Sequence, residues 1–260
     1  MLDSIINRKR IALEKIDHAG EISRMVEDIG NLPPVDSLSA SLRNSAGISL
    51  IAEIKRRSPS KGLLAESLAV DELAHAYENS GARGISVLTE TDFFNGSIDD
   101  LRTARSNTTL PILRKDFIIG PFQVYESRLI GADAILLITG VMPPDELANL
   151  LHLSHQIGLE VLIEIHDERE LERILPLNPE MIGVNNRNLA DFTVSLSTTE
   201  RLAALIPHPV IKVSESGINC RSDVLRMQDC GIDAVLVGES IIKSPDREAK
   251  IRELLGTDHD

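Results

Sequence analysis

One local transition recurs along the chain, and it narrows the fold more than any other feature. Gly81-Ala82-Arg83-Gly84-Ile85, Gly131-Ala132-Asp133-Ala134-Ile135 and Gly231-Ile232-Asp233-Ala234-Val235 each follow a helix-like stretch and open a short apolar run. Glycine suits the left-handed position that ends a helix, and an apolar run directly after it reads as a strand buried on both faces. Gly158 before Leu159-Glu160-Val161-Leu162 fits the same mould. Runs of this kind predict strands over roughly 49–55, 85–89, 111–114, 134–138, 161–165, 181–184, 210–214 and 234–237. Helical patterns lie between them, for example Leu68 to Asn79, Phe122 to Ile130, Asp145 to Gln156 and Arg221 to Asp229. Alternating strands and helices imply a parallel sheet with right-handed crossovers, and eight units in about 210 residues fit a closed barrel better than an open sheet. A doubly wound sheet would carry a glycine-rich phosphate fingerprint after its first strand, and Ser58-Pro59-Ser60-Lys61-Gly62 is not one. The expected fold is therefore α/β, a single (β/α)8 TIM barrel over 46–256. Residues 1–45 are expected to add one or two helices, closed by Leu32-Pro33-Pro34 and packed on the barrel mouth, and 257–260 to form a flexible tail.

Composition limits the function classes. The 260 residues carry 27 basic and 40 acidic side chains, a net charge of −13, which repels a phosphate backbone. The seven aromatics, five Phe and two Tyr with no Trp, are few for a protein that stacks on bases. Nucleic acid is therefore not an expected partner. Cys220 and Cys230 make no disulfide framework and match no metal spacing, so they are read as reduced, buried thiols on one helix. Arg8-Lys9-Arg10 arrives before any long apolar run, against a secretory signal, and no stretch approaches the ~18 apolar residues of a membrane span. A cytoplasmic protein without a membrane partner is expected.

Charges inside buried strands are costly unless paired or used. The period of two puts Ile51, Glu53 and Lys55 on one face of the first strand, with Leu50, Ala52 and Ile54 toward the helices. The same alternation aligns Leu162, Glu164 and His166, then Leu113 and Lys115 against Arg114 and Asp116, and finally Ile211, Val213 and Glu215. Any one of these could be a rim charge solvated by loops. Four strands each ending in an inward charge point instead to a site at the C-terminal face, where this architecture places its chemistry.

Two loops suggest a phosphate. Ser214-Glu215-Ser216-Gly217 follows the seventh strand, and Gly238-Glu239-Ser240 follows the eighth and is expected to open the last helix. Loops at those positions commonly hold phosphate through backbone N–H groups. Phe93, Phe94 and Phe117 fall in predicted loops after strands, where they would meet a flat apolar group. Asn185 and Arg187 lie just beyond the sixth strand, and an Arg fork there could grip a carboxylate or phosphate.

At this point the motifs meet a family. Ile51-Ala52-Glu53-Ile54-Lys55 running into Ser58-Pro59-Ser60-Lys61-Gly62 resembles the first-strand signature of indole-3-glycerol-phosphate synthases. So do Leu88-Thr89-Glu90 with Phe93-Phe94-Asn95-Gly96-Ser97, and Leu113-Arg114-Lys115-Asp116-Phe117-Ile118-Ile119. Gln123-Val124-Tyr125-Glu126, the segment from Gly131 to Ile138, and Glu164-Ile165-His166 match further. Gly183 to Leu189, Ser214-Glu215-Ser216-Gly217-Ile218 and Val237-Gly238-Glu239-Ser240 complete an ordered set spanning about residue 1 to 255. Gly120, Phe122, Ser127 and Arg57 depart from the usual pattern, as does the stretch from Ala40 to Gly47.

The resemblance implies a carboxy-lyase of tryptophan biosynthesis. Its substrate would be 1-(2-carboxyphenylamino)-1-deoxyribulose 5-phosphate, closed to indole-3-glycerol phosphate with loss of carbon dioxide and water. It assigns Lys115 as general acid at the carbonyl and Lys55 and Glu164 as the second acid and the base. Glu53 would pair with a lysine, and Glu215 would contact substrate hydroxyls or orient its neighbours. Asn185 and Arg187 would position the anthranilate, which Phe93 and Phe117 would enclose. Phosphate would sit on Lys55, Ser58 and the backbone of Ser216, Gly217, Gly238 and Ser240, so Lys55 is read both as anion ligand and as proton donor. No metal or organic cofactor is implied. The helix around Arg8-Lys9-Arg10 would close over the mouth as a lid. The expected partner is one phosphorylated small molecule; a monomer, a weak homodimer or association with another enzyme of the pathway all fit. The basic residues Lys55, Arg56, Arg57, Lys61, Arg114, Lys115 and Arg187 would give an acidic body a cationic mouth. Two rivals read the charges differently: the isomerase of the same pathway, which needs a Cys at the end of strand one, and a Schiff-base aldolase using Lys115 or Lys212.

Overall fold

The computed structural model describes residues 2–14, 18–43, 47–58, 61–65, 67–188 and 191–257, with backbone alone for Asp3, His18 and Ala19. Eight parallel strands close a barrel in chain order: β1 (Ser49–Ile54), β2 (Gly84–Leu88), β3 (Ile112–Lys115), β4 (Ala134–Ile138), β5 (Glu160–Ile165), β6 (Met181–Asn185), β7 (Ile211–Glu215) and β8 (Ala234–Val237). β1 pairs with both β2 and β8, which shuts the cylinder. Each expected strand is present to within one residue at either end.

The alternation in β1 appears in the packing. Ile51 belongs to one buried cluster with Leu113, Leu136, Leu162 and Val213, whereas Leu50, Ala52 and Ile54 belong to a second cluster with the surrounding helices. Those helices are α4 (Val70–Asn79), α5 (Ile98–Ser106), α6 (Pro121–Leu129), α7 (Pro144–Gln156), α8 (Glu168–Ile174), α9 (Ser197–Ala203) and α10 (Arg221–Asp229), with α11 (Glu239–Ile242) and α12 (Arg247–Leu255) after β8. Apolar side chains on both faces of each strand exclude water, so the polar groups that remain are pushed to the strand ends.

Four sequence expectations need correction. Three helices, not one or two, precede the barrel: α1 (Leu2–Leu13), α2 (His18–Ile29) and α3 (Leu38–Arg43), the last lying beyond the proline pair. α3 is fixed because Glu160, at the start of β5, accepts from Ser37 Oγ at 2.6 Å and from Ser39 N at 2.8 Å. Its Leu38 and Leu42 then join the barrel cluster from the N-terminal end. Second, Gly238-Glu239-Ser240 opens the four-residue α11 rather than the last helix. Third, Cys220 and Cys230 are half-buried rather than buried, because they flank α10 instead of lying on its inner face. Fourth, Phe117, read as exposed to a pocket mouth, is buried, although it does border the space at the barrel's C-terminal end. The loop after β1 also forms a short antiparallel ladder, Arg57–Ser58 with Gly62–Leu63. The boundary near residue 45, Pro59-Ser60 of the first motif, Leu189 of another, and residues 258–260 of the tail lie outside the described residues.

α1 lies against the C-terminal face. Lys9 Nζ is 2.6 Å from Asp116 Oδ1, Arg8 pairs with Asp92 at 3.4 Å, and the Arg8 guanidinium stands 5.4 Å from the Phe93 ring centroid. At the departure Gly120, α6 lacks a side-chain cap and begins with Pro121, whose missing N–H costs nothing at that position.

Candidate active site

A cavity of about 590 Å³ opens at the C-terminal end of the barrel. Its floor is built by strand register. Lys115 ends β3 and reaches into the cavity, while Arg114 before it is tied to α6 on the other face. Arg114 pairs with Glu126 of α6 at 2.8 Å and with Asp116 at 3.2 Å, and Thr89 donates to Asp116 Oδ2 at 2.6 Å. The Lys115 ammonium therefore meets Glu164 Oε2 at 2.8 Å and Glu215 Oε2 at 3.1 Å. Glu53 and Lys55 form a second ion pair from β1.

These charges stay buried because each compensates another. Burial opposes the Lys115 ammonium, but Glu164, Glu215 and Glu53 outweigh it and raise the lysine above its ordinary range. Burial likewise opposes the Glu164 carboxylate, and Lys115 with His166 overcomes it, so Glu164 titrates well below the usual range. Glu215 goes the other way. Burial, with the Glu164 charge adding to it, pushes Glu215 up to about 7 despite Lys115. Neither Glu215 carboxylate oxygen has a hydrogen-bond partner among the described residues, since Lys115 approaches as an ion pair without alignment. Glu215 thus presents hydrogen-bonding capacity to whatever enters.

Space for two of the carboxylates comes from glycines. A Cβ on Gly183 would collide with the Glu215 carboxylate, and one on Gly238 with that of Glu53. The register sets Glu164 beside Gly183, and Asn185 beside Glu215.

One end of the cavity suits an anion. Ser216 and Gly217 take successive positive φ values, 66° and 89°, a turn that exposes backbone N–H groups. Asn186 holds this turn, donating to Glu215 O at 3.1 Å and Ser216 O at 3.0 Å. Ser58, Lys55, Lys61, Asn219 and Gly238 line the same end. Ser240 is not in the lining; its hydroxyl donates to Ile218 O at 3.0 Å and pins the loop. The other end is apolar. Phe94 and Phe117 pack with ring centroids 6.2 Å apart, and Leu2 and Ile5 of α1 add apolar lining with Phe192, while Val194 fills the space beside Gly217. Phe93 stands outside the lining, under Arg8. Asn185 and Arg187 lie between the two ends, where Asn185 Oδ1 accepts the Arg187 N–H at 3.0 Å.

Of the expected site residues, the cavity thus gathers Glu53, Lys55, Ser58, Lys115, Phe117, Glu164, Asn185, Arg187, Glu215, Ser216, Gly217 and Gly238, and leaves out Phe93 and Ser240. Sequence reasoning missed Phe192, Asn219 and the spacing role of Gly183, and named Lys61 only as one basic residue of the mouth. It noted Phe94 without assigning it. Glu90, which accepts the Phe93 and Phe94 N–H groups at 2.7 and 3.0 Å and so shapes their loop, was visible only as a motif letter. No group of three His, Cys, Asp or Glu side chains suited to a metal occurs among the described residues, and no described helix is long and apolar enough to cross a membrane.

Known proteins are similar to this sequence. A sequence profile described as indole-3-glycerol phosphate synthase matches residues 2–254. An indole-3-glycerol phosphate synthase of Dehalococcoides mccartyi strain CBDB1 is 48% identical over 238 residues, covering 90% of this chain and 91% of its own. One from Desulforamulus reducens is 40% identical over 256 residues, covering 98% and 97%. Among solved structures, a thiamine phosphate pyrophosphorylase from Pyrococcus furiosus superposes with a TM-score of 0.60 at 16% identity, covering 85% of this chain and 97% of that one, which speaks to the barrel alone. With the profile matched across the chain and full-length relatives at this identity, the chain belongs to the indole-3-glycerol phosphate synthase family, carboxy-lyases of tryptophan biosynthesis.

Proposed function

We propose that the buried lysine–carboxylate cluster performs the family's reaction directly: ring closure, decarboxylation and dehydration of 1-(2-carboxyphenylamino)-1-deoxyribulose 5-phosphate to indole-3-glycerol phosphate. The observation that carries the assignment is the Lys115 ammonium, held between Glu164 and Glu215 on the floor of a cavity with an apolar end and an anion-suited end. As the aryl carbon attacks the carbonyl carbon, the carbonyl oxygen gains charge. Lys115 gives it a proton, and because the developing alkoxide is strongly basic, a lysine with a raised pKa still suffices. Carbon dioxide then leaves and the ring nitrogen lone pair is available to expel the hydroxyl. Lys55 protonates that hydroxyl and Glu164 removes the ring proton, while Glu215 hydrogen-bonds the sugar hydroxyls and Glu53 holds Lys55 in place through their ion pair. Lys55 and Lys61, Ser58 and the Ser216-Gly217 and Gly238 backbone hold the phosphate, with Ser240 pinning their loop. Phe94 and Phe117 enclose the ring, Phe93 backs them, and Arg187 with Asn185 places the carboxylate.

A Schiff base needs a neutral amine, which the raised Lys115 opposes. Both half-buried thiols flank α10, outside the cavity lining, so a cysteine base at strand one has no counterpart. The reading extends to a cytoplasmic enzyme acting as a monomer or weak homodimer without a cofactor. Supplying the carboxyphenylamino-deoxyribulose phosphate and following indole fluorescence tests it. Wild type should turn over, and Lys115→Ala should lose at least ~100-fold in kcat. Equal rates would remove Lys115 from its role, and no product from wild type would remove the function.

A further inference from the structure

One half-buried titratable side chain beside the cluster takes no part in that reaction. His166 directly follows β5 and does not line the cavity, yet its ring stands between two carboxylates. Nε2 is 3.3 Å from Glu164 Oε1, and Nδ1 is 3.1 Å from Glu170 Oε2 in α8. The same Glu170 oxygen accepts the His166 backbone N–H at 2.7 Å, so one carboxylate ties both ring and main chain. Glu170 is itself seated by the α8 cap, its N–H donating to Asp167 Oδ1 at 2.9 Å. The other Glu164 oxygen, Oε2, takes Lys115. Each oxygen of Glu164 therefore faces its own nitrogen base.

When Lys115 surrenders its proton, Glu164 loses its main compensating charge in a buried setting. A lone buried carboxylate would then take up a proton at once. We propose that Glu170 and His166 form a positioning pair behind Glu164: Glu170 keeps the imidazole protonated, and the imidazolium fixes Glu164 Oε1 and preserves its carboxylate charge while Lys115 changes state. This role presupposes Glu164 as the base. Burial opposes the imidazolium, but the ion pair with Glu164, not aligned as a hydrogen bond, and the hydrogen-bonded Glu170 outweigh it and raise His166 to about 10. The remaining groups around the ring fit. Thr139, which donates to Glu164 O at 3.0 Å, and Asn185, beside it by register, are uncharged. Asp167 adds negative charge on the α8 side, and Lys115 lies beyond Glu164.

The test compares pH profiles of kcat for wild type, His166→Asn, Glu170→Gln and the double variant, with thermal melts alongside and Glu164→Gln as reference. Loss of the imidazolium weakens the Glu164 carboxylate, so the acid limb should move upward by about 1 pH unit or more in His166→Asn, with KM within about twofold. Glu170→Gln should move it the same way by less, and the double should be no worse than His166→Asn alone. By NMR, the His166 ring should titrate far above the ordinary ~6.5 in wild type and fall toward it in Glu170→Gln. An unmoved acid limb, or additive losses in the double, would overturn the pair's role even if both variants melt earlier. Should His166→Asn not fold, a wild-type ring titrating at its ordinary value does the same. Glu164→Gln at wild-type kcat would instead refute Glu164 as base, while an inactive Glu164→Gln with an unmoved His166→Asn limb refutes only the positioning pair.

Discussion

Whether the cluster can hold its carboxylates depends on what stands beside them. Gly183 sits within β6, where a side chain would normally add strand stability, and its hydrogen is all that faces the Glu215 carboxylate. In Gly183→Ala that carboxylate must move, yet both it and the barrel around it are buried with little slack. The cost should be about 1–3 kcal/mol of stability, lowering Tm by about 2–4 °C per kcal/mol, since overpacking rather than a lost contact is at work. Catalysis should suffer more, with kcat down at least ~10-fold as Glu215 leaves Lys115, because misplacing one group by an ångström costs that much or more. Steady-state kinetics with a thermal melt separates the two, and an unchanged kcat would show that Glu215 need not lie where it does. The inward set of Glu53, Lys55, Lys115, Glu164 and Glu215 was legible from the period of two alone. Gly183 was not, because a glycine inside a strand reads as a weak position until the folded structure brings the Glu215 carboxylate from the next strand against it.

Among the elements, α1 is held at the barrel mouth by a few specific side-chain contacts. Its Leu2 and Ile5 help roof the cavity, and its most buried polar anchor is Lys9 on Asp116. Burial opposes the Asp116 carboxylate, but Lys9 and Arg114 prevail and hold it below the usual carboxylate range. With a folded pKa depressed below the unfolded one, this anchor contributes fully above the ordinary Asp value and is lost only as pH falls through the depressed one. α1 should therefore stay docked from neutral pH down to about 4 and release below that. In Asp116→Asn the acid step should vanish, and the α1 amides should exchange fast already at pH 7 in a hydrogen-exchange measurement. KM should rise severalfold as the roof opens, and an unchanged KM would mean that α1 is no lid. The sequence hinted at this helix through Arg8-Lys9-Arg10, but its partner Asp116 was assigned only to the outer face of β3. α3 escaped notice for another reason: six residues give a single i, i+4 pair, Leu38 and Leu42, which is too short for a periodic signal.

At the scale of the whole molecule, the charge balance differs from a simple cationic funnel. Arg56 is taken up by Asp100 of α5, and Arg114 by Asp116 and Glu126, so neither serves the mouth. Among described lining residues, the cations are Lys55, Lys61, Lys115 and Arg187. Against them stand Glu53, Asp116, Glu164, Glu215 and Glu239. With local charges near balance, the far field seen by an approaching phosphorylated carboxylate is that of a body with net charge −13, and it is repulsive. Attraction begins only near Lys61 and Arg187, at ranges that the Debye length of ~8 Å in 0.15 M salt barely screens. Salt should therefore help encounter before it harms binding. Raising ionic strength from ~0.01 M, where fields reach ~30 Å, to ~0.15 M should increase kcat/KM by about twofold or more and leave kcat unchanged. Lys61→Glu should deepen the low-salt deficit and steepen this rise, because it reverses a charge at the anion-suited end without touching the Lys115 cluster. A kcat/KM that instead falls steadily from the lowest salt would mean that the lysines and Arg187 at the mouth dominate the field, against the balance of charges that line it.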